Sequence, residues 1–322
     1  TTATFTDISL TGQFIIVQES DALVSDVRGN MYAFHGSNQN VRVPDNASLD
    51  ITTNLTLECW IKPITGSGYR VFINKSDAGS WNNGYGLAFH NTDNTIWFYP
   101  FGWGGVKVKS NTPLNLNEWV HLAATYDGTE ERIYINGQLD ITLATTGSLP
   151  VNVRDLFLGL DGTGYSFDGT MDEVRIWNVA RSQAQIRENM HLTLKGNETG
   201  LVSYYQFNSD DVVGTANGVK DVSGNGNDGT TQNMVTADYL ESEVAVAGGT
   251  SDRMTIGAAG VYNFPNTDVD IDFGATTPNG EIVVYRLETE APHGWESLSG
   301  DVDNEYFVVE NFGTNQTFSA LN

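Results

Sequence analysis

Cysteine is nearly absent: Cys59 is the only one in 322 residues. A disulfide scaffold within the chain is therefore excluded. Basic residues are scarce as well, 16 Lys and Arg against 40 Asp and Glu, so the formal charge is −24 at pH 7. That excludes a general phosphate-backbone binder, because nucleic-acid binding needs clustered Lys and Arg. It also argues against docking on an anionic bilayer. Long apolar runs are missing. Phe14-Ile15-Ile16-Val17 and Ile282-Val283-Val284-Tyr285 are four residues each, whereas a helical membrane span needs about 20, so no membrane insertion is expected. Charged residues make up only 17% of the chain while glycine reaches 34 copies. That balance points to a turn-rich β protein and away from a helical one.

The length is a soft prior for two or three domains, each able to bury a core. The chain opens on Thr1 rather than Met, as a processed or excised piece of a larger protein would, and no signal peptide is visible. Lack of disulfides argues against secretion in general, but a bacterial exported protein that folds without them is allowed. Five Asn-x-Ser/Thr sequons, at Asn46, Asn54, Asn74, Asn197 and Asn315, carry little weight in a chain so rich in these residues.

Short strand-like segments between turn signals fill most of the sequence, as in a sandwich or barrel. Examples are 55–61, 70–74, 85–90, 95–99, 119–125 and 132–135. The clearest hairpin is Arg132-Ile133-Tyr134-Ile135-Asn136-Gly137-Gln138-Leu139, where Asn-Gly supplies the two positive-φ residues of a type I′ turn. One helix is expected. Ser182 and Gln185 fit a capping box, and Ile186 and Met190 then share a face, suited to covering a sheet edge. Composition shifts near residue 236: from there to the end stand 15 acidic residues against Arg253 and Arg286 alone. Strand-like runs at 281–287 and 306–310 continue, so a second, smaller β-sandwich domain at 236–322 is expected rather than an acidic tail. Its charge reads as a solvated surface, with calcium binding or adaptation to salt as alternatives. Residues 1–29 belong clearly to neither domain. Their strand at 13–18 would end a preceding module or pair with the first sandwich.

Four blocks carry a family likeness. They are Phe34-His35-Gly36-Ser37-Asn38 leading into Val41-Arg42-Val43; Leu55-Thr56-Leu57-Glu58-Cys59-Trp60-Ile61-Lys62-Pro63; Glu118-Trp119-Val120-His121-Leu122-Ala123-Ala124-Thr125-Tyr126-Asp127-Gly128 with Tyr134-Ile135-Asn136-Gly137; and Phe167-Asp168-Gly169-Thr170-Met171-Asp172-Glu173-Val174-Arg175-Ile176-Trp177. In order and spacing, residues 31–207 resemble the laminin-G-like, concanavalin-A-like jelly-roll family. The resemblance implies an all-β fold, an antiparallel jelly-roll sandwich over about residues 30–235, with ligands on a concave face or on rim loops. It also implies an adhesion or recognition module of a secreted or cell-surface protein, bacterial-type and multi-modular. Alternation within 55–62 agrees, with Leu55, Leu57, Cys59 and Ile61 turned inward and Thr56, Glu58, Trp60 and Lys62 outward. Cys59 then reads as a buried hydrophobe. Val174 and Ile176 likewise oppose Arg175 and Trp177.

The same resemblance implies a structural calcium ion near Asp172, with Asp168 and Asn38 as further ligands. The loop carries His35 and Gln39 where relatives often have Asp, and the alternative is that Asp168 and Asp172 cap turns and pair with Arg175. A second oxygen cluster, Asp221, Ser223, Asn225, Asn227 and Asp228, could wrap a cation but lacks the glutamate that completes an EF-hand; a plain turn is the simpler reading. Trp97, Tyr99, Phe101 and Trp103 recur at every second residue, and Trp81 and Tyr85 stand beside them. In an extended strand they would line one face and stack on sugars, with Asn82, Asn83, Asn91 and Asp93 bonding hydroxyls. Alternatively they fill the core. The designated ligand set is Trp81, Tyr85, Trp97, Tyr99 and Trp103.

No catalytic residues are assigned. Glycoside hydrolysis needs two positioned carboxylates, and the Glu-x-Asp-x-x-Glu strand of enzymes sharing this fold does not occur. Nor do Gly-x-Ser-x-Gly, a P-loop or His-Glu-x-x-His. The five histidines are scattered. The expectation is a non-catalytic recognition module that binds a glycan or a cell-surface protein. The rival is a structural or adhesive component that self-associates by strand pairing through residues 1–29, and a glycoside hydrolase is the weaker third.

Overall fold

The structure, a computed structural model, describes residues 9–11, 14–17, 29–64, 69–76, 83–90, 92–208, 211–273, 277–288, 306–315 and 317–319. Two compact units result. The larger comprises Gly29–Ile186 and Lys195–Ser242; the smaller takes in Arg187–Leu194, the chain from Glu243 onward and the N-terminal strands.

The larger unit is an antiparallel sandwich. Its eight-stranded sheet runs Gln138–Ala144, Glu130–Ile135, Val120–Tyr126, Leu55–Pro63, Asp168–Trp177, Asn30–His35 and Tyr239–Glu241, with Leu201–Tyr205 also paired to Asp168–Trp177. Its seven-stranded sheet runs Thr230–Gln232, Asn40–Val43, Leu156–Leu158, Tyr69–Ser76, Gly84–His90, Thr95–Phe98 and Val108–Lys109. Period-two alternation supplies the core between them. Leu55, Leu57, Cys59 and Ile61 from one sheet meet Phe72, Leu87, Phe89 and Phe98 from the other. The expected hairpin is present, with Asn136 and Gly137 at φ 47° and 69° and Ile135 opposite Gln138.

The outward row of Leu55–Pro63 differs from expectation. Thr56, Glu58 and Trp60 are buried as well, because the chain after Trp177 folds over that face. Thr56 Oγ1 donates to the Val179 carbonyl, and Ile186 packs on Ala123 and Tyr134. The helix Gln183–Asn189 therefore begins over a sheet face, not at an edge. Its capping box is as read: the Gln185 amide donates to Ser182 Oγ, and the Ser182 amide donates to Gln185 Oε1.

In the smaller unit a four-stranded sheet runs Gly249–Ile256, Gly280–Leu287, Tyr306–Asn311 and Phe14–Val17. Alternation buries both faces. Ile282, Val284, Phe307 and Val309 join Phe264 and Phe273 of the Gly260–Phe264/Val269–Phe273 hairpin, while Val283, Tyr285 and Val308 join Met190 and Ala247. The strand Phe14–Val17 thus pairs with Tyr306–Asn311, and Ser9–Thr11 pairs with Thr317–Ser319; neither pairs with the jelly roll.

Candidate functional site

In Gly84–His90, Tyr85, Leu87 and Phe89 take core positions, so Gly86, Ala88 and His90 face away from the core. The same alternation turns Trp97 outward between Ile96 and Phe98, and Lys109 outward beside Val108. Register lines these residues up across the sheet: Val71 opposite Ala88, Ala88 opposite Trp97, Trp97 opposite Lys109, and Tyr69 opposite His90.

After Phe98 the strand ends and the chain turns back over this outer face. Trp103 then packs at ring-centroid distances of 4.6 Å from Tyr69, 5.3 Å from Tyr99 and 5.8 Å from Trp97. Tyr99 lies flat against Gly86, where a Cβ would sit 2.5 Å from its Cζ and 2.4 Å from the Ile73 carbonyl oxygen. Tyr165 closes the far side. Its loop is held by Asp161, whose Oδ1 accepts from the amides of Thr163, Gly164 and Tyr165, while the Val71 amide donates to the Tyr165 carbonyl. Tyr69, Val71, Trp103 and Tyr165 line a cavity of about 200 Å³. The Tyr165 side chain is open to solvent, at 46% relative exposure.

The charged rim is ordered too. Lys107 Nζ lies 5.6 Å and 5.1 Å from the Trp97 and Trp103 ring centroids and donates to the Trp103 carbonyl at 2.9 Å. Asp93 accepts from the Thr95 hydroxyl, from Lys109 and from its contact with His90. The Thr95 bond leads these in holding its carboxyl well below the usual carboxylate range, against a cost from desolvation.

Several assigned residues move. Tyr85 is a core residue whose hydroxyl donates to the Leu49 carbonyl, so it offers no face to a ligand. Tyr99 is fully buried and donates to Asn74 Oδ1; it is the floor under Trp103 rather than a contact surface. Burial, with the Asp161 charge near, pushes its hydroxyl well above the ordinary phenol value. Phe101 turns away and packs edge-on against Tyr126 at 5.1 Å, because the extended strand that would have kept all four rings on one face stops at Phe98. Trp97 and Trp103 stay together, each half-buried. Trp81, Asn82 and Asn91 lie outside the described residues. Tyr69 and Tyr165 were not among the assigned residues. Their only sequence signal is an aromatic beside a glycine-rich turn, Gly66-Ser67-Gly68-Tyr69 and Gly162-Thr163-Gly164-Tyr165.

Two of the assigned calcium ligands lie apart. Asp168 and Asp172 sit four residues apart on one continuous strand, about 13 Å along it. Asp172 is buried, accepts from Ser242 Oγ and the Glu173 amide, and burial, with repulsion from Glu173, raises its carboxyl pKa well above the ordinary value. Asn38 is tied to Ser166. Among the described residues no group of three or more His, Cys, Asp or Glu is placed to hold a metal. In the second loop the Asp221 oxygens accept from the amides of Tyr204, Ser223 and Asn227, and Asp228 accepts from the Asp221 amide and Lys220. A cation there would face N–H protons, so this cluster is a turn lock. Arg175 pairs with Glu173 at 2.7 Å, and its charge also acts on the Asp172 carboxyl.

Glu58 is buried with Arg181 at 3.2 Å, His121 at 3.7 Å and Arg175 at 4.0 Å. Arg181 stacks on Trp177 at 4.0 Å, and the Tyr204 hydroxyl donates to Glu173. These acids are enclosed in a structural network and do not face one another across a cleft.

Residues 35–187 match the sequence profile of the Concanavalin A-like lectin/glucanases superfamily. Pappalysin-1 of Mus musculus is 27% identical over 208 residues, which is 58% of this chain and 13% of that protein. Pappalysin-1 of Homo sapiens is 27% identical over 179 residues, 49% of this chain and 11% of that protein. The chain therefore spans only about an eighth of the length of these relatives. A solved structure from Bacteroides ovatus ATCC 8483, of a protein proposed to bind carbohydrate, superposes with a TM-score of 0.56 at 21% identity, covering 69% of this chain and 62% of that one. The larger unit has a jelly-roll sandwich fold, and residues 35–187 within it are similar to that superfamily.

Proposed function

We propose that this chain is a non-catalytic recognition protein whose jelly-roll unit binds a glycan in the aromatic cavity on the outer face of the seven-stranded sheet. The observation that carries the reading is a half-open cavity of about 200 Å³ lined by Tyr69, Trp103 and Tyr165, on a backbone already pinned by Asp161 and Val71. Flat aromatic rings offer large apolar area with a polar edge, the complement of a sugar ring. A preformed site spares the ordering entropy of binding. The volume lies below the ~300–1,000 Å³ of drug-sized pockets and suits a single sugar ring of a longer chain. The described residues that line the cavity include no carboxylate, which fits capture better than the paired carboxylates of hydrolysis. The likeness to a protein proposed to bind carbohydrate points the same way. An extracellular or cell-surface placement belongs to this reading. No helix among the described residues is long and apolar enough to cross a membrane.

A glycan array with the full chain, followed by titration of the best ligand, tests this. Trp103→Ala and Tyr165→Ala should each weaken binding tenfold or more, about 1.4 kcal/mol, with the circular dichroism unchanged. A glycan bound equally by parent and both variants would place the site elsewhere.

One observation keeps the adhesive rival in view: among the described residues Phe14–Val17 is the last strand of its sheet, and an edge strand is a template for a second chain. A concentration-independent monomer mass would dispose of it.

A further inference from the structure

We infer that the aromatic cavity takes a sugar bearing an anionic group, a carboxylate or a sulfate, and that Lys107 recognises that group. This rests on the glycan reading of the cavity and adds the chemical class of its ligand. The chain carries a formal charge of −24, so an unspecialised surface repels acidic polymers. Most described cations face an acid: Lys75 meets Asp45, Arg132 meets Asp127, Arg253 meets Glu188 and Arg286 meets Asp268.

Lys107 has no ion pair among the described residues. Its ammonium is fixed beside two tryptophan rings and spends one of its three N–H donors on the Trp103 carbonyl. Trp103 is also a wall of the cavity, so the ammonium stands beside a lining residue with two of its three donors left for a ligand group. The nearby carboxylates offer no competition. Asp93 is taken by Lys109 and Thr95, and Asp161 by three backbone amides. Arg70, next to Tyr69, likewise has no ion pair among the described residues and donates to the Ser166 carbonyl beside Tyr165. A neutral sugar would leave the Lys107 ammonium facing water and indole. An acidic one would convert it into a charge-assisted hydrogen bond in a partly desolvated place.

Calorimetric titration of the full chain tests the inference with two matched pairs: oligogalacturonate against its carboxyl-reduced counterpart, and a sulfated galactan oligosaccharide against its desulfated form. The expected result is at least a tenfold preference for the acidic member of one pair, shrinking as salt is raised. Lys107→Met, which keeps the aliphatic stem, should abolish that preference. The pair that responds tells carboxylate from sulfate. Equal affinity within both pairs, or a preference that survives Lys107→Met, overturns the inference while leaving glycan binding intact. No binding of any of the four overturns it together with the glycan reading of the cavity.

Discussion

Glu131 offers a test of the sandwich core that needs no ligand. It sits on the Glu130–Ile135 strand between Tyr126 and Leu143, and its side chain points inward with Ile133. It is fully buried, and neither carboxyl oxygen makes a well-formed hydrogen bond; no ion pair reaches it among the described residues. Burial, opposed only weakly by Thr145 and the Val108 amide, pushes its pKa from 4.5 up to about 7. The folded protein therefore holds a proton that the unfolded chain releases between those values. Stability is fullest below pH 4.5, declines as the pH rises to about 7, and is flat in this respect beyond. A shift of that size corresponds to about 3 kcal/mol at ~1.36 kcal/mol per unit. Relaxation of the fold around the charged form reduces this to on the order of 2 kcal/mol. Glu131→Gln keeps the shape and removes the titration. It should match the parent at pH 4.5 and exceed it by about 2 kcal/mol at pH 8. Urea denaturation followed by tryptophan emission reads this out, since six of the seven tryptophans precede residue 236. Other acids titrate equally in both proteins and cancel. An identical difference at both pH values, or a variant weaker at pH 8, would refute the buried neutral acid.

Gly86→Ala should destabilise the chain by about 1–3 kcal/mol through overpacking, because the new methyl meets the Ile73 carbonyl and the Tyr99 ring. It should also alter tryptophan emission and weaken sugar binding as Trp103 loses its floor; an unchanged melting temperature would show that Tyr99 does not seat there. Arg175→Met leaves Glu58 and Glu173 buried against one another's neighbourhood without that guanidinium. A loss of about 3–5 kcal/mol is expected, and a variant as stable as the parent in urea would mean the network contributes specificity rather than stability.

The sequence carried the jelly roll only as a family resemblance over residues 31–207, and its own local patterns carried the strands, one hairpin and one helix start. Period-two alternation at Leu55, Leu57, Cys59 and Ile61, the Asn136-Gly137 turn and the Ser182–Gln185 capping box are local rules, and local rules are legible in order along a chain. It also determined that an aromatic-rich stretch stands near residues 97–103. What it left undecided was direction. Four rings at every second position share a face only while the strand continues. Its end at Phe98 sends Phe101 to the core and folds Trp103 back beside Trp97, an outcome set by packing against Tyr126, Gly86 and Tyr69. The partners that complete the cavity, Tyr69 and Tyr165, lie on a neighbouring strand and a distant loop. The same holds for the outward row at Thr56, Glu58 and Trp60, buried by a segment that arrives more than a hundred residues later. Alternation tells which side of a strand a residue occupies. Only tertiary structure tells what, if anything, comes to lie against that side.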